Sequence, residues 1–179
     1  MRYMLLLGCL AALTFGCTKE KEPIVPPLSS SEISGERLWK RITVETDFDI
    51  YANWPGQDGM RPGQSPHGKF HEVYINATLA SALPIASKTA PNGSIIVKEN
   101  FNADKKLTNI TVMAKVTGYN PDDGDWFWAA YDPQGKIIVN NNFPLEGKLD
   151  YCYKCHAGVR DNDYVILWPL DARLPAGQQ

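Results

Sequence analysis

Residues 151–159 read YCYKCHAGV and place Cys152, Cys155 and His156 in the spacing C-x-x-C-H. Three chemistries use a close cysteine pair. A structural zinc site takes about four ligands, usually two such pairs or one pair with two histidines. The sequence has no second pair in reach, and His67 and His71 lie far upstream, which disfavours zinc. A thioredoxin-type dithiol follows a strand in a βαβ context and leaves His156 without a role. Heme attachment uses all three residues. Two thiols three positions apart on a helical turn add to the two vinyl groups of a heme, and the adjacent imidazole becomes an axial iron ligand. The spacing therefore favours one covalent heme c, bound through Cys152 and Cys155, with His156 as the metal ligand.

The remaining cysteines fit that choice. The chain opens MRYMLLLGCLAALTFGC, with one basic residue, Arg2, and an apolar run too short to span a bilayer. It reads as an export signal over residues 1–16, and the small residue before Cys17 resembles a bacterial lipobox, at which Cys17 is lipidated. Thr14 departs from the usual lipobox pattern. Cys9 leaves with the signal, so only Cys152 and Cys155 remain in the folded part, and no disulfide framework is expected. The expected location is the periplasmic side of a bacterial membrane, the outer membrane, with anchoring through lipid alone. Export also suits the cofactor, because c-type hemes are attached outside the bacterial cytoplasm.

The elements that must position the C-x-x-C-H segment can be read along the chain. Residues 17–32 are charged, then Pro-rich, then Ser-rich, and read as a tether. The domain is expected over residues 33–175. Ser29 and Glu32 have capping-box spacing ahead of a helix carrying Leu38, Trp39 and Ile42. A second short helix is expected over residues 47–54, followed by a Pro/Gly-rich loop. KFHEVYIN, GSIIVKENF and LTNITVMAKV read as strands, the last with Ile110, Val112, Ala114 and Val116 on one face. ATLASALPIAS reads as a helix interrupted at Pro84. DWFWAAYD and GKIIVN read as a hairpin across residues 133–135, and DYVILWPL as a last strand. Strands in hairpin-like succession with a few helices predict an α+β fold with a mainly antiparallel sheet.

Composition narrows the partners. With 179 residues, 44% hydrophobic and 21% charged, the chain has the make-up of a globular protein, and its formal charge of −2 gives no reason to expect nucleic acid. Beyond the signal, Met60 lies in the loop and Met113 in a strand, and neither is marked as an iron ligand. His67 and His71 can reach a heme, although a lone histidine is more often a hydrogen-bonded surface or core residue. An open or weakly held sixth position is favoured over that of a six-coordinate electron carrier.

SPHGKFHEVYIN, NGSIIVKENF, LTNITVMAKVTGYNPDDGDWFWAAYDPQGK and CYKCHAGVRDNDYVI occur in that order from about Trp54 to Trp168. Together they resemble the cytochrome P-460 family of exported c-type cytochromes. The resemblance implies one heme, a His axial ligand, a mainly antiparallel sheet with a few helices, and a homodimer. It also implies one of two kinds of function. One kind oxidises hydroxylamine, passes electrons to a periplasmic acceptor, and carries a bond from a lysine to the porphyrin edge. The other, cytochrome c′-β, lacks the bond, lines its distal pocket with phenylalanine, and binds nitric oxide.

The lysine of the first kind lies in a V-K-E strand, here Val97, Lys98 and Glu99. Successive strand residues face opposite ways, so only one of Lys98 and Glu99 can address the heme, and the resemblance designates Lys98. Proton removal from bound hydroxylamine needs a base within hydrogen-bond reach. His71 and Glu146 are the expected bases. Phe70, with Phe101, Phe127 and Phe143, could instead supply an apolar distal wall.

Overall fold

A computed structural model describes residues 21–167. In chain order its elements are helix α1 (Gly35–Lys40), strands β1 (Ala52–Asn53), β2 (Arg61–Pro62) and β3 (Phe70–Ile75), helix α2 (Ala77–Ala82), strands β4 (Ile95–Phe101), β5 (Leu107–Lys115), β6 (Trp126–Tyr131), β7 (Val139–Asn140), β8 (Phe143–Pro144) and β9 (Glu146–Gly147), and helix α3 (Asp150–His156). The main sheet is antiparallel throughout and runs β1-β3-β4-β5-β6-β9, with β2 also paired to β3.

Alternation along the strands gives the sheet two faces, and both are covered. On one face Val97, Ile110, Val112, Ala114, Val116, Phe127, Ala129 and Tyr131 pack against Leu38 and Ile42 at the N-terminal helix. The expected grouping of Ile110, Val112, Ala114 and Val116 is thus observed. On the other face Val73, Ile75, Ile96, Met113, Trp126 and Trp128 meet Leu79 of α2, Tyr164, Val165, and Cys152 and Tyr153 of α3. This second face carries the heme-binding segment.

Several local expectations need correction. The Ser29–Glu32 pair does form, with Ser29 Oγ donating to Glu32 Oε2 at 2.6 Å, but it closes a turn. Ser34 is the residue that caps α1, accepting from Arg37 N–H. The expected tether is packed over part of its described length: Leu28 is buried, and the Pro26 carbonyl accepts from Arg41. The ordered chain therefore starts ahead of residue 33. The expected helix over residues 47–54 shrinks to a single 3-10 turn, Phe48–Ile50, because the next residues pair with β3 as β1.

The expected hairpin of β6 with GKIIVN closes only at its turn. Asp132 N–H bonds the Lys136 carbonyl and Ile138 N–H bonds the Ala130 carbonyl, after which the chain leaves as the β7–β8 ribbon. β9 takes the place beside β6. The last expected strand is absent over its described residues. Asp163 and Tyr164 adopt left-handed backbone conformations, with φ of 51° and 65°, that no strand accommodates. Its end, the C-terminal limit of the domain, the signal and Cys17 lie outside the described residues.

Candidate heme site

Register alone brings the site together. Val73 pairs with Lys98, Lys98 with Thr111, and Thr111 with Ala130, so these four side chains form one row across the sheet. Neighbouring rows on the same face contain His71, Asn100 and Asn109 on one side, and Ile75, Ile96, Met113 and Trp128 on the other. Between this face and α3 lies a cavity of about 620 Å³, within the usual range for cofactor sites. His67, His71, Lys98, Cys152, Cys155 and His156 all line it.

α3 presents the attachment residues on one side, because positions three and four apart on a helix are neighbours. Cys152 is half-buried and Cys155 exposed, and both are free thiols. Burial, then the neighbouring Cys155, pushes the Cys152 thiol up to about 11. A catalytic dithiol relies on a thiol pulled down towards neutral pH, and Cys152 is pushed the other way. Among the described residues no group of three or more His, Cys, Asp or Glu side chains could hold a bare metal ion. The residues present do fit heme c: two thiols at the mouth of a cavity of cofactor size, with an imidazole beside them.

The orientation of His156 is set from behind. Its Nδ1 lies 2.7 Å from the Tyr164 carbonyl, which can only accept, so Nδ1 carries the proton and the other ring nitrogen keeps its lone pair for iron. Trp128 packs against the ring at 4.6 Å and 66°. The Tyr164 carbonyl is in turn fixed by Asp163, whose carboxylate accepts from Lys115 Nζ at 2.7 Å and from Ala90 N–H at 2.8 Å. The Asp163 carbonyl accepts from the Trp126 indole N–H.

Lys98 enters the same cavity from the middle of the sheet. Burial, with no opposing cause, lowers its amine to about 8. His71 is held down to about 4, first by burial and then by the Lys98 charge; His67 falls to about 3 through burial, Lys98 and the other two histidines. Both imidazoles are therefore neutral, and the Nδ1 atom of each is buried without a hydrogen-bond partner.

Two expected site residues lie elsewhere. Glu146 sits on β9 opposite Ala129, and its carboxylate accepts from the Gly35 N–H at the start of α1. It does not line the cavity, because α1 on the opposite face has claimed it. Phe70 also faces away: odd positions of β3 point to the cavity and even ones do not, and its register partner is Phe101. Phe127 packs on Tyr119 in the opposite core, and Phe143 is 73% exposed on the β7–β8 ribbon. None of the four phenylalanines lines the cavity. The Lys115–Asp163 pair and the Tyr164 carbonyl were not expected in the site, and His67 was expected there only as a histidine able to reach a heme. Only His67 carried a signal, its place in the SPHG segment.

A helix bearing C-x-x-C-H over a cavity on one face of an antiparallel sheet defines a monoheme c-type protein built on β-structure. The chain belongs to the cytochrome P-460 family, whose model matches residues 49–167. That membership implies heme c. No curated protein matches the chain.

Proposed function

We propose that this protein oxidises hydroxylamine on a heme c cross-linked to Lys98. The observation that carries this reading is that Lys98 projects into the same cavity as Cys155 and His156. A desolvated lysine with its amine near 8 is partly unprotonated at neutral pH, the state in which nitrogen can form a bond. None of Phe70, Phe101, Phe127 and Phe143 lines the cavity, which speaks against the phenylalanine wall expected of the nitric-oxide-binding kind.

When bound, the heme supplies an iron that holds the substrate nitrogen and accepts its electrons. The chain supplies the rest. His156, oriented by the Tyr164 carbonyl, would ligate the iron. His71, neutral and without a partner on Nδ1, accepts protons. Oxidation of hydroxylamine to nitric oxide releases three protons and three electrons, and the electrons pass to a periplasmic one-electron acceptor. Lipid on Cys17 anchors the protein to the membrane. The homodimer expected of the family finds support in Val139 and Phe143, both exposed on the β7–β8 ribbon.

Tryptic mapping of the denatured holoprotein by mass spectrometry tests the cross-link. The Lys98 peptide should stay joined to the heme peptide, and hydroxylamine should reduce an added acceptor. An unlinked Lys98 peptide, an ordinary heme c spectrum and no turnover would shift the function to nitric oxide binding.

A further inference from the structure

His67 and His156 both line the cavity. The centroids of the two rings are 6.3 Å apart and their planes meet at 85°. A metal–imidazole bond of about 2 Å, with the ring centre about 1.1 Å beyond its nitrogen, puts two imidazoles on opposite sides of one metal at about 6.3 Å. A histidine that only hydrogen-bonds to an iron-bound molecule must leave room for that molecule and stands farther off. His71, the other cavity histidine, makes no ring contact of this kind; it lies in the sheet row beside Asn100.

Two further observations point the same way. His67 Nδ1 is buried with no hydrogen-bond partner. Leaving such a nitrogen unmet is unfavourable, and a metal bound through it would meet it. The backbone also holds His67 in place. Its N–H bonds the Gln64 carbonyl, Gly63 N–H bonds the Lys69 carbonyl, and Lys69 N–H bonds the Phe101 carbonyl, each at 2.8 Å. Gly68 follows with φ of 75°, and a Cβ there would come within 2.6 Å of the Phe101 carbonyl oxygen. The loop is seated against β4 so closely that only glycine fits.

We propose that His67 is the second axial ligand of the heme iron, closing the sixth position in the resting protein and yielding it to small ligands. Of the open or weakly held position expected from the sequence, this takes the second form. It rests on the heme reading above but not on the cross-link or the turnover. A position closed by a displaceable side chain lowers apparent ligand affinity by the fraction of protein that is open. His67 thereby sets which ligands enter: those that bind iron strongly enough to displace an imidazole.

The test is electron paramagnetic resonance and magnetic circular dichroism of the ferric holoprotein at neutral pH. The wild type should be low-spin with two imidazole ligands. His67→Ala should become high-spin, return to low-spin when imidazole is added, and bind cyanide about ten- to a hundredfold more tightly. His71→Ala should stay low-spin. If His67→Ala does not accumulate, His67→Gln takes its place. A high-spin wild type, meaning that the two rings are merely packed edge to face, would overturn the proposal. So would low-spin iron that survives loss of His67, or that neither cyanide nor nitric oxide can enter. Heme-peptide mapping and hydroxylamine turnover are read separately. A low-spin protein without turnover sinks the enzymatic reading alone, and a high-spin protein with turnover sinks this one alone.

Discussion

Lys115 Nζ lies 2.7 Å from both carboxylate oxygens of Asp163, with each side chain 7% exposed. The pair ties the end of β5 to the segment that follows α3. Asp163 and Tyr164 are held there in left-handed backbone conformations, and the Tyr164 carbonyl faces His156. A buried ion pair is an expensive way to join two segments, and removing one partner leaves the other charge uncompensated.

Lys115→Met is therefore expected to destabilise the protein by about 3–5 kcal/mol. Denaturant unfolding of the holoprotein measures this. Because the carbonyl behind His156 loses its anchor, the iron–histidine stretching band in resonance Raman spectra of the reduced protein, read in the His67→Ala background where the sixth position is open, should shift or broaden as well. A variant with unchanged stability and an unchanged band would show that the pair does not position His156.

Lys98→Leu is expected to separate the proposed hydroxylamine oxidation from nitric oxide binding. The heme remains on Cys152 and Cys155, the Lys98 link to the heme peptide is gone, and hydroxylamine oxidation falls by at least about a hundredfold. Nitric oxide still binds the ferrous protein, which titration with optical detection would show. Full turnover in Lys98→Leu would contradict the proposed role of the cross-link.

The cavity histidines predict a pH dependence of stability. His71 has a folded value near 4, below its ordinary value of 6.5, because burial and then Lys98 oppose its charge. Below about pH 6.5 the unfolded chain binds a proton that the folded chain refuses until about pH 4. Stability should fall as the pH drops through that window, and His71→Gln should flatten the slope. Denaturant melts of both proteins between pH 4 and 7 provide the comparison, and identical slopes would refute the assignment.

Gly68→Ala tests the loop that carries His67. A non-glycine residue at a φ of 75° costs about 1–2 kcal/mol, and the contact of the new Cβ with the Phe101 carbonyl adds to it. The variant should melt at a lower temperature and contain a larger high-spin fraction than the wild type. A fully wild-type spectrum would mean that His67 keeps its place without the glycine.

Much of the architecture was legible because it follows from local rules. Three consecutive sheet strands, α2 and the helix around Leu38 are read from period and turn chemistry, since alternation and capping act within a few residues. The attachment residues were legible for the same reason: Cys152, Cys155 and His156 fall within one helical turn. Lys98 was found by resemblance, and alternation alone could say only that it and Glu99 part ways. Expectations failed where long-range pairing decided. The strand GKIIVN has the composition to extend the hairpin of β6, but β9 occupies that edge. Residues 163–165 have strand-like composition, yet the ion pair with Lys115 and the left-handed backbone bend them into the support of His156.

The amino-acid sequence by itself determined the cofactor chemistry, because thiol spacing and the neighbouring imidazole are properties of one short segment. It also determined the alternating faces of the strands. The tertiary structure decided which residues oppose that segment. Lys98 and His71 enter the cavity through register across three strands, and a shift of one residue would send both to the other face. Phe70 and Glu146 are excluded by that same parity and by α1, whose first N–H takes the Glu146 carboxylate. His67 reaches His156 from almost ninety residues away through a loop held by backbone hydrogen bonds, a separation over which no local pattern reports distance.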